Sequence, residues 1–422
     1  MNKLLILDPN IRYKCTQCGN CCSEVWEVSV EEDSVKRIQA LPLNEIDENF
    51  SQISPFRTNI DIEGKTQYFI AHRGNYCPFF NKNNLCELHN SFGYDSKPTT
   101  CKFFPFRFVE IGDNIYVGAS FACPSVVNSE SEPLENYKAE LEKLCVSHNE
   151  RVFKKNEIFL SKDIKITPDL YLKIEGMLKD ILNTESVPFY KRLAAGAIAM
   201  DMLDGFVFAA MQITKVSLED CIDKFINNNK SQNYSQIFKI ADKKRDLSLI
   251  KRVFLGMIFA FRTTLSQRRS AFKTYSLLVI NHILFSLRLG KFRLTPNSKK
   301  ISFSKLSKIN FPRDDASLNK ILTERFNHIL MRKDLMYHSD IKSGFKILLI
   351  YYALIEWYAC GLCFEKGLSE VGENEVKEAV SYVEKYYASH SDFFQLMRTY
   401  PVVRDTIENL LKSKNFPFVM TS

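Results

Sequence analysis

Eight of the chain's 12 cysteines fall between Cys15 and Cys123, and four of those sit within eight residues, Cys15-Thr16-Gln17-Cys18-Gly19-Asn20-Cys21-Cys22. A C-x2-C turn lets two thiolates converge on one ion while the intervening backbone N–H groups point at the sulfurs. Gly19 relieves the backbone where such a loop must curl. Four thiolates crowd together only at a high electrostatic cost unless a cation compensates them, so the spacing implies a metal. The third cysteine, three residues on, matches the opening of bacterial ferredoxin spacing and also suits a zinc knuckle. Adjacent Cys21 and Cys22 point in different directions in an extended chain, so one of them is expected to serve a second site or simply to pack.

A second set follows: Cys77, Cys86, Cys101 and Cys123. Cys77 and Cys123 each precede a proline, as the closing ligand of ferredoxin clusters does. Between Cys77 and Cys86 an apolar run gives way to an Asn-rich turn, so a hairpin would bring the two thiols together. The rings after Cys101, in Lys102-Phe103-Phe104-Pro105-Phe106, would wall a metal from water.

The redox compartment bears on this reading. The first apolar run, Leu4 to Leu7, is too short for a signal-peptide core and is closed by Asp8 and Pro9. The expected location is therefore cytoplasmic, where thiols stay reduced and dense cysteine means metal or catalysis before disulfides. Eight thiols would suit one 4Fe-4S cluster with spare cysteines, two four-cysteine sites, or zinc; redox thiols and disulfides rank below these.

Apolar residues make up 45% of the 422 and charged residues 25%, which is globular and long enough for two or three domains. Residues 1–150 carry a net charge of −7, whereas the run from Leu247 to Arg313 holds 14 Lys/Arg and no Asp or Glu. That stretch would attract phosphate, an acidic surface or nucleic acid, or dock on the acidic N-terminal region. Nucleic acid is the least expected partner, and the rival overall functions are a non-enzymatic zinc- or iron-binding protein and a zinc-stabilised interaction module with a basic helical face.

The expected fold class is mixed: a small Cys-rich α+β domain followed by a large all-α domain. The divisions are 1–130 for the cysteine-cluster domain, 131–165 for a helical linker and 166–422 for the all-α domain. Val25 to Val30 and Gln67 to Ala71 read as strands. Ser29 and Glu32 have capping-box spacing and should open a helix to about Ala40. Gly112-Asp113-Asn114 marks a hairpin between Arg107–Ile111 and Ile115–Phe121. Helical periodicity runs from Glu135 to Lys155. Thr167-Pro168-Asp169 and Ser217 open further helices, and others are expected at 188–212, 251–266, 271–289, 317–332, 341–366, 373–388 and 402–412. Ala194 to Thr214 and Phe345 to Phe364 are apolar enough to suggest membrane spans. Their Asp201, Asp204, Lys346 and Glu356 argue for buried helices and no membrane span.

Weaker candidates remain. Cys360-Gly361-Leu362-Cys363 lacks the βαβ context of a redox motif and reads as packed helical thiols, as do Cys145 and Cys221. His72 and His89 are alternative ligands. Asp201 and Asp204 share a helix face and would suit an amine or ribose hydroxyls. Tyr351, Tyr352, Trp357 and Tyr358 read as core, with an aromatic cage for a lysine as the alternative.

Taken together, C15TQCGNCC22, C77PFFNKNNLC86, the segment from Lys97-Pro98 to C101KFFPF106, and FAC123P resemble the YkgJ-type cysteine-cluster proteins, described as zinc- or iron-chelating domains. The resemblance covers about residues 12–126. Longer members are similar to flagellin lysine N-methylases, and C86ELHNSFG93 and SFAC123P look like that subgroup. This relation implies an Fe–S cluster, S-adenosylmethionine and a protein substrate such as flagellin. It carries over only to Cys15, Cys18, Cys21, Cys22, Cys77, Cys86, Cys101 and Cys123. Neither the C-x3-C-x2-C radical spacing nor a G-x-G-x-G loop after a strand is present, so no catalytic residue or nucleotide pocket can be named.

Overall fold

The structure, a computed structural model, describes residues 3–23, 28–60, 64–74, 76–129, 131–213, 216–243, 245–265, 271–294, 298, 300–388 and 401–422. Its first third is mixed and the rest is mostly helical, as the sequence indicates.

The N-terminal part runs β1 (Leu4–Leu7), α1 (Asn20–Ser23), β2 (Ser29–Val30), α2 (Glu32–Gln39), β3 (Phe56–Ile60), β4 (Thr66–Ile70), α3 (Glu87–Phe92), α4 (Thr99–Phe103), β5 (Phe106–Ile111), β6 (Asn114–Ala119) and α5 (Pro124–Asn128). Of the strand expected at Val25 to Val30, residues 24–27 lie outside the described residues, and Ser29 and Val30 pair with Phe69 and Tyr68. The capping box does not form. Ser29 is already committed to that ladder, so Glu31 is the N-cap of α2 and makes no side-chain cap bond.

The hairpin forms where expected. Ile111 faces Asn114 across Gly112 and Asp113, and Gly112 takes the positive φ, +58°, that the tight turn requires. β1 joins β6 in parallel, so the larger sheet has the order β1-β6-β5-β7, with β7 at Phe153–Lys154. A second, antiparallel sheet has the order β2-β4-β3.

In 131–165, the helical periodicity holds only through α6 (Lys138–Ser147). Phe153 and the β-branched Ile158, Ile164 and Ile166 then place β7, β8 (Ile158–Ser161) and β9 (Ile164–Ile166) there instead.

Helices follow: α7 (Pro168–Leu182), capped by the Thr167 hydroxyl on the Leu170 N–H; α8 (Phe189–Ile213); α9 (Leu218–Lys230), capped by Ser217; and α10 (Ser235–Ala241). Next come α11 (Ser248–Leu265), α12 (Ala271–Ser286), α13 (Phe303–Leu306), α14 (Ala316–Met331), α15 (Ile341–Glu365) and α16 (Glu373–Tyr387). Pro401–Lys412 and Phe416–Thr421 are also helical.

Two separate cores result. The large one runs from Leu5 through the four-stranded sheet to Met420, so that sheet packs with the helices. The small one joins Val30, Val35, Ile38, Phe56, Ile70, Phe79 and Leu88.

α8 and α15 are long and apolar enough to cross a membrane by length and composition. Within the fold α15 is mostly buried, and the four charges in these segments pair. Asp201 meets the Lys346 ammonium at 2.7 Å, Asp204 meets Lys342, and Glu356 accepts from Lys251, Arg313 and the Tyr352 hydroxyl. The two aspartates thus neutralise lysines of the neighbouring helix. Tyr351, Tyr352 and Tyr358 are buried, and Trp357 stacks on Phe259.

Candidate metal centre

The Cys15–Cys22 loop owes its path to two left-handed residues, Gln17 (φ +53°) and Gly19 (φ +72°). Beyond Gly19 the chain closes into α1, with the N–H groups of Cys22 and Ser23 donating to the Gly19 carbonyl. Cys21 and Cys22 are therefore in a helical turn, and their sulfurs stand 3.8 Å apart. The expectation of diverging side chains assumed extended backbone; in a helical turn successive side chains splay by only about 100°. The separation matches the edge of a sulfur tetrahedron around zinc, about 3.8 Å for Zn–S of about 2.3 Å. Terminal ligands of one cubane project from separate corners and stand further apart. In a cubane reading one of this pair serves another position.

The hairpin expected between Cys77 and Cys86 forms. Phe80 bridges to Cys86 in an antiparallel pair, and the Asn81 side chain accepts the N–H groups of Asn83 and Leu85 to shape the turn. The Cys77 N–H donates to the Cys22 carbonyl at 2.8 Å, tying this hairpin to the first loop.

Cys86 and Cys123 are both helix N-caps, of α3 and α5. Backbone N–H groups of Leu88 and His89 favour the Cys86 thiolate, and those of Ser125 and Val126 favour that of Cys123. The proline after Cys123 is accounted for locally: it fills the first position of α5, where an N–H has no intrahelical partner.

Within the cluster, the thiols of Cys21, Cys22, Cys86, Cys101 and Cys123 lie above the ordinary value. Burial pushes Cys101 up to about 12 and Cys123 up to about 11, and it raises Cys86 as well. Cys21 is raised chiefly by its contact with Cys22, then by burial. For Cys22 the Cys21 contact favours the thiolate, but Cys77, burial and Cys86 outweigh it. The charges also show which sulfurs are neighbours. Cys123 feels Cys18 and Cys21; Cys101 feels Cys86 and Cys21; Tyr13 feels Cys15, Cys123 and Cys21. Charge effects thus link Cys21 with Cys22, Cys86, Cys101 and Cys123, and Cys22 with Cys77, while residues Cys15, Cys18 and Cys21 are exposed. Among the described residues, no three His, Cys, Asp or Glu side chains already enclose a point as an ion's ligand shell would.

One contributor carries no spacing signal. The Lys97 ammonium lowers the thiols of Cys21, Cys86 and Cys101, making it the cation nearest in effect to the sulfurs. Sequence gives Lys97 only its place ahead of Pro98. The His89 ring makes a T-shaped contact with Tyr94, while Cys360 and Cys363 lie far along the chain in core helix α15.

The sulfurs sit at the seam of the two cores. Cys77 and Cys86 pack on the small core, whereas Cys123 belongs to the large one. The first loop is anchored to the large core by Tyr13, whose ring contacts Phe106 and Tyr137, and by the Lys14 N–H on the Ser125 hydroxyl.

A family of metal-chelating domains matches this stretch. Residues 14–124 fit the model CxxCxxCC, whose description reads "Putative zinc- or iron-chelating domain". This cysteine-cluster match spans about a quarter of the chain and includes all eight thiols. No curated protein and no solved structure matches the chain.

The donor set fits such a group. Eight soft sulfurs suit zinc or iron–sulfur rather than magnesium or calcium.

Proposed function

We propose that the cysteine cluster holds a soft metal centre, an iron–sulfur cluster or zinc, that ties the two cores together. The observation carrying this is the split origin of the sulfurs: Cys77 and Cys86 from one core, Cys123 from the other, and the Cys15–Cys22 loop between them. All eight cysteines are the proposed ligand pool. Bound iron–sulfur would supply electron transfer, whereas bound zinc would supply a cross-link. The chain's own part is to aim backbone N–H groups at Cys86 and Cys123, to offset sulfur charge with Lys97, and to keep water from Cys101 and Cys123. A reducing compartment, the cytoplasm, suits such thiols.

The test is ligand substitution with metal analysis. Cys77→Ser and Cys123→Ser should each lower bound metal, whereas Cys145→Ser, a core thiol in α6, should not. Equal metal content in all three variants would refute a centre shared by the two cores.

The resemblance of long-form relatives supports a finer proposal: methyl transfer from S-adenosylmethionine to lysines of a protein such as flagellin. Calorimetric titration of the metal-loaded chain with S-adenosylmethionine tests it. Saturable binding supports the methylase reading, and its absence leaves the metal centre standing alone.

A further inference from the structure

Helices α11 and α12 leave an aliphatic face exposed inside the most basic stretch of the chain. On α11, Leu249, Ile250 and Val253 are exposed; at 100° per residue they span one face. On α12 Val279, Ile280 and Ile283 are exposed, again within one 100° arc, and Leu287 and Leu289 follow in the turn after the helix, Leu289 at 69% exposure. The two helices are locked side by side. His282 Nε2 lies 3.0 Å from the Val253 carbonyl, and a β-carbon on Gly256 would meet Ser286 Oγ at 2.9 Å. This crossing sets the Val253 turn against the turn that carries Ile283, so the two stripes adjoin.

Charge accompanies the stripe. Arg288, Lys291 and Lys300 are exposed next to it in sequence, and no acid occurs from Leu247 to Arg313. The only two cations of that run that the core absorbs at Glu356 are Lys251 and Arg313, among the described residues.

We propose that this exposed face of α11 and α12 docks on the surface of an anionic lipid bilayer, independently of the metal centre. Aliphatic side chains alternating with cations, as in Leu287-Arg288-Leu289-Gly290-Lys291, suit the boundary between acyl chains and phosphate headgroups. Nucleic acid would reward the cations but not exposed Val, Ile and Leu. An acidic protein would be expected to meet aromatic anchors, which the described side chains of this exposed stripe lack. The helices lie on the surface rather than span it, since their other faces belong to the large core.

The experiment is co-sedimentation of the full chain with vesicles of phosphatidylcholine alone or containing phosphatidylglycerol. Binding is expected only with phosphatidylglycerol and should weaken as salt rises. Leu287→Asp combined with Leu289→Asp should reduce affinity about ten-fold, with helicity and melting unchanged because both side chains are exposed. Lys291→Glu should reduce it about five-fold or more; it keeps the test alive should the leucine variant misfold. The proposal is overturned if neither vesicle is bound, if neutral and anionic vesicles bind alike, or if the same variants instead break a dimer in solution.

Discussion

A β-carbon on Gly19 would sit 2.5 Å from Cε2 of Phe80. The ring of Phe80, stacked on Tyr76, occupies the space beside the loop, and Gly19 also needs a positive φ. Gly19→Ala should therefore strain the loop twice, costing about 2 kcal/mol or more. Thermal unfolding with parallel metal analysis checks this: both melting temperature and metal content should fall. Unchanged values would mean that the loop does not depend on this contact.

Arg325 of α14 donates to the carbonyls of Val126 and Val127 at the end of α5, the short helix that Cys123 caps. Its guanidinium also lies 5.0 Å from the Phe121 ring, two residues before that cysteine. Arg325→Met would remove the guanidinium donor from the Val127 carbonyl and leave the Val126 carbonyl to the Ser129 hydroxyl, at about 2 kcal/mol. Chemical denaturation should show that loss, together with weaker metal retention against a chelator. Cys123 would otherwise be held without help from the helical region.

Much of this arrangement is legible in the sequence, for identifiable reasons. Thr167 and Ser217 announce their helices because capping is a local bond, and the Gly112 turn because its φ is local. The cysteine spacing reveals the thiol ensemble because each hairpin and turn closes over a few residues. What the sequence leaves hidden is nonlocal. Ser29 has capping-box spacing, yet strand pairing with Phe69 claims it. The Lys97 role depends on three loops meeting. The partners of Asp201 and Asp204 lie on α15, well over a hundred residues away, and no spacing rule reaches that far. Arg268 and Arg269, within the basic stretch, lie outside the described residues.

Lys346 is 1% exposed and meets Asp201 at 2.7 Å, with the Leu411 carbonyl as its other acceptor. Asp201→Asn removes the compensating charge and should destabilise the protein by about 3 kcal/mol. The double variant Asp201→Leu with Lys346→Met should recover most of that loss, because no charge is then left buried. A double-mutant cycle by denaturant unfolding checks this; additive losses would show that the two groups are independent.

The ring of His338 covers Gly344 at the start of α15, and burial lowers its pKa to about 4. An unfolded histidine titrates at about 6.5. Between these values the unfolded chain binds the extra proton, so stability falls as pH drops from about 6.5 toward 4. The loss from pH 7 to 5 should be about 1 kcal/mol, allowing for partial solvent access. His338→Asn should flatten that part of the profile, whatever it does to stability at pH 7. A parallel profile would assign the acid sensitivity elsewhere.

Metal analysis and an absorption spectrum of the full chain purified without oxygen test the central claim most directly. The account predicts iron with acid-labile sulfide and a visible charge-transfer band, or zinc in a colourless protein, with Cys15, Cys18, Cys21, Cys22, Cys77, Cys86, Cys101 and Cys123 protected from thiol reagents until the metal is removed. A folded chain free of iron and zinc, with those eight thiols reacting as readily before chelation as after it, would contradict it.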